Sequence, residues 1–368
     1  MENCDVLIVG GGPAGSSCAW GLRNSGLDVA IIDKQVFPRD KVCGGWITPP
    51  VLKILDIDPA EYGVGRVLQP ITSFRTGCIG GRSATQTDYG APVSYGIRRR
   101  EFDTYLLRRC GARLREGVGL SSLQRDGSGW IVNRTIRARL VVGAGGHFCP
   151  VARHLSGKDK TTAVVAQEVE FEMDERQQAA CPVRATMPEL YFCPDMKGYG
   201  WCFRKGSVLN IGLGRADSRG LPEQVDGFVR YLTATTGLSP DMPAMRGHAY
   251  FLYGTSQRPV AGAGFLLIGD AAGLAWPQSG EGILPAIESG FFAAETIITA
   301  KGAWSEAQLE PYAKRLAQRF GDTGNDLLTG MGRGLPPWLL RFAATRLLKT
   351  KWFVRRFVLD RWFLHRAA

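Results

Sequence analysis

The sequence predicts an α/β fold: a Rossmann-like domain that holds a dinucleotide, an inserted antiparallel-sheet domain and a C-terminal helical segment. Three observations carry this. A strand, glycine-rich turn, helix and strand follow one another at the start of the chain. A second strand followed by Gly269-Asp270 stands some 250 residues further on. Between them runs a stretch of alternating apolar and polar residues, the period-two pattern of half-buried strands.

The first unit reads Asp5–Val9 as a strand, Gly10–Gly15 as a turn, Ser16–Asn24 as a helix capped by Gly26, and Val29–Asp33 as a strand. In Gly10-x-Gly12-x-x-Gly15 the first glycine permits the tight turn. The second lets the backbone approach a pyrophosphate, and the third lets helix and strand pack closely. Pro13 and Ala14 lie within that turn, whose N–H groups meet phosphate charge together with the dipole of the helix that follows. Asp33 closes the next strand where a ribose hydroxyl would be bound, with Lys34 beside it. A loop containing Pro38, Pro49 and Pro50 follows. Short β-like runs occupy about 65–97, a helix Arg100–Cys110, and a hairpin Gly119–Arg139 turning at Asp126-Gly127. Leu140–Val142 then reads as a buried parallel strand. From about Thr161 to Tyr253 strands alternate around one helix near Pro222–Thr235, and Phe265–Ile268 returns to the first domain before a helix from about Gly282 to Ala300. The expected division is 1–65, 97–160 and 254–300 for the dinucleotide domain, 66–96 and 161–253 for the inserted domain, and 301–368 for a basic helical end.

The turn at Gly10–Gly15 does not distinguish one dinucleotide from another; the second segment does. Gly269-Asp270-Ala271-Ala272-Gly273 and Pro277-x-x-Gly280-x-Gly282 have no use in a nicotinamide dehydrogenase. An extended FAD needs a remote second segment, because its ribityl chain and ring lie far from the adenosine. Asp270 would bond a ribityl hydroxyl, and the amides of Gly282 and Ile283 would open a helix toward the flavin ring.

Composition removes several classes. A hydrophobic fraction of 45% and a charged fraction of 21% are those of a globular enzyme. The nine cysteines include no CxxC pair, and neither they nor His147, His154, His248 and His365 show metal-ligand spacing. No apolar stretch near 20 residues lacks charges, and the strand-like Val6–Val9 follows the start directly, so a cytoplasmic location is expected. Of the net charge of +11, the segment from Arg333 onward holds nine Lys or Arg against Asp360 alone, that is +8. An excess so local argues against nucleic acid. Its aromatics Trp338, Phe342, Trp352, Phe353, Phe357, Trp362 and Phe363 interleave with the cations. Two readings stand: 333–368 lies on anionic lipid at the inner membrane face, or it covers the protein.

GxGxxG, Arg99-x-x-Phe102-Asp103 and GDAAG–PxSGEG together resemble the para-hydroxybenzoate hydroxylase-type FAD superfamily of aromatic monooxygenases, halogenases and geranylgeranyl reductases. Pro38-Arg39-Asp40-Lys41-Val42-Cys43-Gly44 resembles the PxxKxCG motif of the geranylgeranyl reductases, Tyr199-x-Trp201-x-Phe203 with Gly212-x-Gly214 their aromatic cavity motif, and Pro277–Ile283 their flavin-side loop. The resemblance covers the chain to about residue 300. It implies that Arg39, Arg99, Cys43 and Gly44 join the glycines and Asp270 around FAD. It also implies that Cys43, Tyr199 and Trp201 face an apolar isoprenoid-like substrate whose isolated C=C bond is reduced by hydride from reduced flavin. NAD(P)H or a reduced ferredoxin-like protein would supply the electrons. From the residues alone, Arg99 also reads as an exposed helix-start cation, Cys43 as a small buried residue, the aromatic stripe as core, and Glu281 as either a proton relay or a dipole-stabilised acid. Arg204 departs from the family's proline and stands either at the cavity wall, favouring an anionic substrate, or outward. Monooxygenation of an aromatic or polyketide-like substrate is the competing reading. Halogenation is disfavoured, because Gly200-Trp201-Cys202-Phe203-Arg204 departs from WxWxIP.

Overall fold

The computed structural model describes residues 1–157, 161, 163–217, 219–239, 241–321 and 345–366. The described residues fall into two compact units. The first draws on Met1–Asp40, Arg100–Thr162 and Tyr250–Gly324, the second on Lys41–Arg99, Ala163–Ala249 and Asn325–Ala368. The second unit therefore begins at Lys41, whereas the sequence reading kept residues through 65 with the first.

In the first unit, strands Val29–Asp33, Glu2–Val9, Ile136–Gly143 and Phe265–Leu267 lie side by side and parallel, with Arg113–Glu116 beyond Val29–Asp33. Val6–Val9 and Leu140–Gly143 are buried throughout, as strands covered on both faces must be. The chain leaves Glu2–Val9 for a neighbour on one side and meets Ile136–Gly143 on the other. That change of direction opens a crevice at the strands' carboxyl ends. Leu123–Asp126 and Gly129–Val132 form the hairpin the Asp126-Gly127 pair predicts, with Gly127 at φ +57°.

Two helices meet along a seam of small residues. A methyl group on Gly21 would come within 2.6 Å of Ala294 Cβ, and one on Gly290 within 2.9 Å of the Cys18 nitrogen. Pro13–Leu22 and Ile283–Thr299 can thus pack backbone to backbone. The first helix ends at Leu22, so Gly26 stands in the following turn and is not its cap.

The second unit centres on a seven-stranded sheet ordered Arg246–Tyr250, Val164–Glu172, Val208–Arg215, Gly198–Lys205, Glu189–Phe192, Ser73–Cys78 and Ala84–Asp88. The described pairings are antiparallel except that between Glu189–Phe192 and Ser73–Cys78. Helix Leu221–Thr236 buries Leu221, Val225, Phe228 and Leu232 against one face. The other face carries Trp201, Phe203 and Phe74 together with Phe353, Val358 and Phe363 from the end of the chain. Pro49 and Pro50, expected in a loop, instead begin the short helix Pro49–Ile54, where proline's fixed φ suits the first turn, as it does for Pro59 in Pro59–Gly63.

Candidate active site

Within the first unit the two remote glycine segments come together. A Cβ on Gly269, at φ +60°, would stand 3.0 Å from Ala14 Cβ and 3.3 Å from Ala286 Cβ, so this glycine lies between the starts of both helices. Its N–H donates to Ser289 Oγ at 3.0 Å. Gly10 turns at φ +118° beside the Ala144 carbonyl, and a side chain on Gly15 would collide with the Gly10 carbonyl. The N-cap residues of both helices are glycines without a capping side chain, which leaves first-turn N–H groups at Ala14–Gly15 and at Ile283 directed out of the helices. Asp270 Oδ1 lies 3.1 Å from where a Gly282 Cβ would be. Ala271 shares a short 3₁₀ turn with Gly269 and Asp270. The flexibility and small size of Gly280, at φ +69°, admit the Tyr250 hydroxyl.

Asp33 accepts the Gly11 N–H at 2.7 Å through one oxygen and the Gln35 N–H at 2.8 Å through the other. It thereby braces the turn, and each oxygen keeps a second acceptor site. Lys34 is exposed beside it. Arg39 pairs with fully buried Asp103 at 2.9 Å through Nη2, the same nitrogen that stands 3.5 Å from a Gly12 Cβ position. Its Nη1 is buried with no hydrogen-bond partner among the described residues. An orphaned guanidinium N–H beside a glycine turn and an uncapped helix start fits a pyrophosphate, so the residues present suit FAD. Glu281, just before the helix, accepts the Leu284 N–H of its first turn at 3.2 Å.

In the second unit Tyr199, Trp201 and Phe203 share one face of their strand, as the period of two requires. Gly44 lies on that face: a Cβ there would be 3.3 Å from Phe203 Cε2 and 3.5 Å from Trp201 Nε1. Trp46 continues it, 6.0 Å from Phe203 and stacked on Phe363 at 5.3 Å, while Tyr199 meets Phe363 edge-on at 5.2 Å. Arg204 points the other way, donating to the Gly206 and Gln178 carbonyls, so it is no part of this wall. Arg99 is 8% exposed, which sets aside the solvated-cation reading.

Sequence reasoning missed what lies beneath Cys43. The Cys43 N–H donates to Glu168 Oε1, its carbonyl accepts from Asn210 Nδ2 at 3.3 Å, and its sulfur accepts the Gly45 N–H at 3.5 Å. Asn210 Oδ1 accepts the Trp201 indole N–H at 2.7 Å. Lys205, 1% exposed, reaches Glu170 at 2.6 Å and the Ile97 carbonyl at 2.8 Å. Burial pushes the Glu168 carboxyl up to about 7, with Glu170 adding to the rise and Cys43 N–H, Lys205 and Asn210 opposing it.

The described aromatics of the basic tail are mostly turned inward while its described Lys and Arg are exposed, so the aromatic side covers the protein. Phe353 and Phe363 are buried, Phe357 and Trp362 are packed against the same core, and Tyr89 donates to Asp360 at 2.8 Å. Trp352 alone of these described aromatics is exposed, at 67%. Trp338 and Phe342 lie outside the described residues. No described helix is long and apolar enough to cross a membrane, and no metal-ligating cluster occurs among the described residues.

Residues 3–320 match the FAD binding domain family. The chain is 30% identical to the menaquinone reductase of Mycobacterium tuberculosis over 322 residues, 80% of this chain and 77% of that one. It is 28% identical to the digeranylgeranylglycerophospholipid reductase of Methanocaldococcus jannaschii over 339 residues, 86% of this chain and 82% of the relative. It shares its fold with a geranylgeranyl bacteriochlorophyll reductase-like protein of Thermoplasma acidophilum, at TM-score 0.77 and 22% identity over 95% of this chain and 92% of the other. An FAD-dependent oxidoreductase by its profile and its relatives, the chain belongs to the FAD binding domain family, in its geranylgeranyl reductase branch.

Proposed function

We propose that the protein reduces isolated C=C bonds in an isoprenoid chain. The observation that carries this is the aromatic wall of Tyr199, Trp201, Phe203 and Trp46, with Cys43-Gly44 along it and Phe363 packed on it, a lining suited to a flat apolar chain. Relatives named for reducing prenyl lipids and menaquinone support the substrate class. Bound and reduced, FAD supplies the hydride to one alkene carbon, and the other carbon takes a proton.

The chain's own residues divide the remaining work. Arg39 and the N–H groups at Ala14–Gly15 hold the pyrophosphate, with Gly10, Gly12 and Pro13 shaping the turn. Asp33 orients the ribose and Asp270 a ribityl hydroxyl, Gly269, Ala271 and Gly280 give the second segment its form, and the Gly282–Ile283 helix start favours negative charge on the reduced ring. Arg99 adds positive charge, and Lys34 stays at the solvent edge. Tyr199 and Trp201 orient the alkene and exclude water. The Cys43 thiol confines the alkene and passes a proton to it. NAD(P)H or a ferredoxin-like protein provides the electrons. The protein works in the cytoplasm, with Trp352 and neighbouring cations touching the anionic inner membrane face to collect substrate.

Anaerobic photoreduction followed by a prenyl substrate tests the main reading: the product gains two hydrogens. An oxygen-dependent gain of one oxygen atom overturns it. Trp352→Glu should weaken sedimentation with phosphatidylglycerol vesicles; unchanged sedimentation overturns the membrane contact.

A further inference from the structure

Glu168 occupies a row of the sheet in which a glycine leaves room for it. Across three strands the partners run Glu168, Gly212 and Trp201, and in the next row Glu170, Asn210 and Phe203. A side chain at Gly212 would come within 2.7 Å of both Glu168 Cβ and Trp201 Cε2. The bare glycine lets the indole lie across it against the carboxylate. From below, Glu168 takes the Cys43 N–H and Asn210 donates to the Cys43 carbonyl, so one sheet grips both backbone groups of a single residue 125 positions away. Gly45, at φ +62°, completes the hold: its carbonyl accepts the Ile97 N–H at 2.7 Å and its own N–H meets the Cys43 sulfur.

We propose that Glu168 is a positioning residue, which fixes the Cys43 thiol over the aromatic face by holding the Cys43 N–H. This rests on the reading that Cys43 works at the alkene. The alternative, an acid retained only for folding, gives no reason for its oxygen to be spent on the one thiol-bearing residue of the segment. The charged and titratable groups facing Glu168 are Glu170 on its own strand, Lys205 on the Trp201 strand, and Cys43 itself, with neutral Asn210 between them. A carboxylate grips an N–H more strongly than the neutral acid does, so the hold tightens as Glu168 ionises.

Alkylation of the full-length flavoprotein by iodoacetamide, read at Cys43 by peptide mass spectrometry, tests this, with partly exposed Cys78 and Cys181 as internal references. Glu168→Ala should speed Cys43 alkylation roughly tenfold, while Glu168→Gln, which keeps an acceptor, stays near the parent at low pH. Between about pH 6 and 8 the variant-to-parent ratio for Glu168→Gln should climb roughly threefold, because only the parent tightens. Equal Cys43 rates in all three proteins with parallel pH profiles overturn the proposal. If the alanine variant does not fold, the glutamine ratio alone decides: a climb supports the proposal and a flat ratio overturns it. Cys43→Ala with undiminished prenyl reduction would overturn the role given to the thiol, and the alkylation result would still judge Glu168 separately.

Discussion

Replacing Glu168 by Gln should flatten one component of the protein's pH–stability curve. The carboxyl is 3% exposed, and its pKa rises from 4.5 to about 7 on folding. The folded state therefore holds a proton that the unfolded chain has already released between those values, and stability falls as pH rises through that window. That rise from 4.5 to about 7, at about 1.36 kcal/mol per tenfold change in proton affinity, corresponds to about 3 kcal/mol lost by pH 8. Gln has no proton to lose. The variant-minus-parent difference in unfolding free energy should thus grow by about 2–3 kcal/mol from pH 5 to pH 8, or roughly 3–4 °C in Tm for a chain of this length. Thermal unfolding followed by tryptophan fluorescence at five or six pH values reads this directly, because every other titrating group cancels in the difference. Parallel curves for parent and variant would refute the reasoning, since they would mean that Glu168 titrates alike in both states.

Three further outcomes follow from the same geometry. Arg39→Met removes the guanidinium beside the glycine turn together with its ion pair to fully buried Asp103; flavin retention, read as absorbance near 450 nm after gel filtration, should fall about tenfold or more in affinity. Lys205→Met breaks a buried ion pair and should cost about 3–5 kcal/mol, with Glu170→Gln in the same chain recovering part of it; a change below about 1 kcal/mol in urea unfolding would contradict the pairing. Phe363→Ala should destabilise by about 3–5 kcal/mol because its ring is enclosed by Trp46 and Tyr199, whereas a tail lying outside the protein would leave unfolding unchanged.

The glycine turns were legible because their requirement is local. Only a residue without Cβ passes Gly10 at φ +118° or lets Gly15 sit against the Gly10 carbonyl, and the sequence states both directly. The alternation of Val164–Glu172 was equally legible as a strand, but Glu168 and Glu170 then read as its solvated side. What hides them is a segment at Cys43–Gly45, a pairing that no local pattern encodes. Prolines 49 and 50 misled for a related reason, since proline both ends one element and begins another. The tail's interleaved aromatics and cations fit a lipid surface as well as a protein one. Its partners Trp46, Phe74 and Tyr199 lie hundreds of residues earlier, where no periodicity within the tail can point to them.

The order of strands also sets a timetable for synthesis. Glu2–Val9 can pair with Val29–Asp33 almost as soon as both emerge, but its other neighbour ends at Gly143 and the next strand outward at Leu267. At roughly 5–20 residues per second, the ribosome needs on the order of 10–50 seconds to deliver the 258 positions between Val9 and Leu267. Throughout that interval the half-built sheet presents an open, apolar hydrogen-bonding edge, a template for pairing with other nascent chains. The helix start at Ile283 arrives later still, so the turn that cradles phosphate forms early while the rest of the flavin cradle waits for the last quarter of the chain. A shortage of chaperones during translation should therefore cost more active protein than an equal shortage during heating of the finished fold.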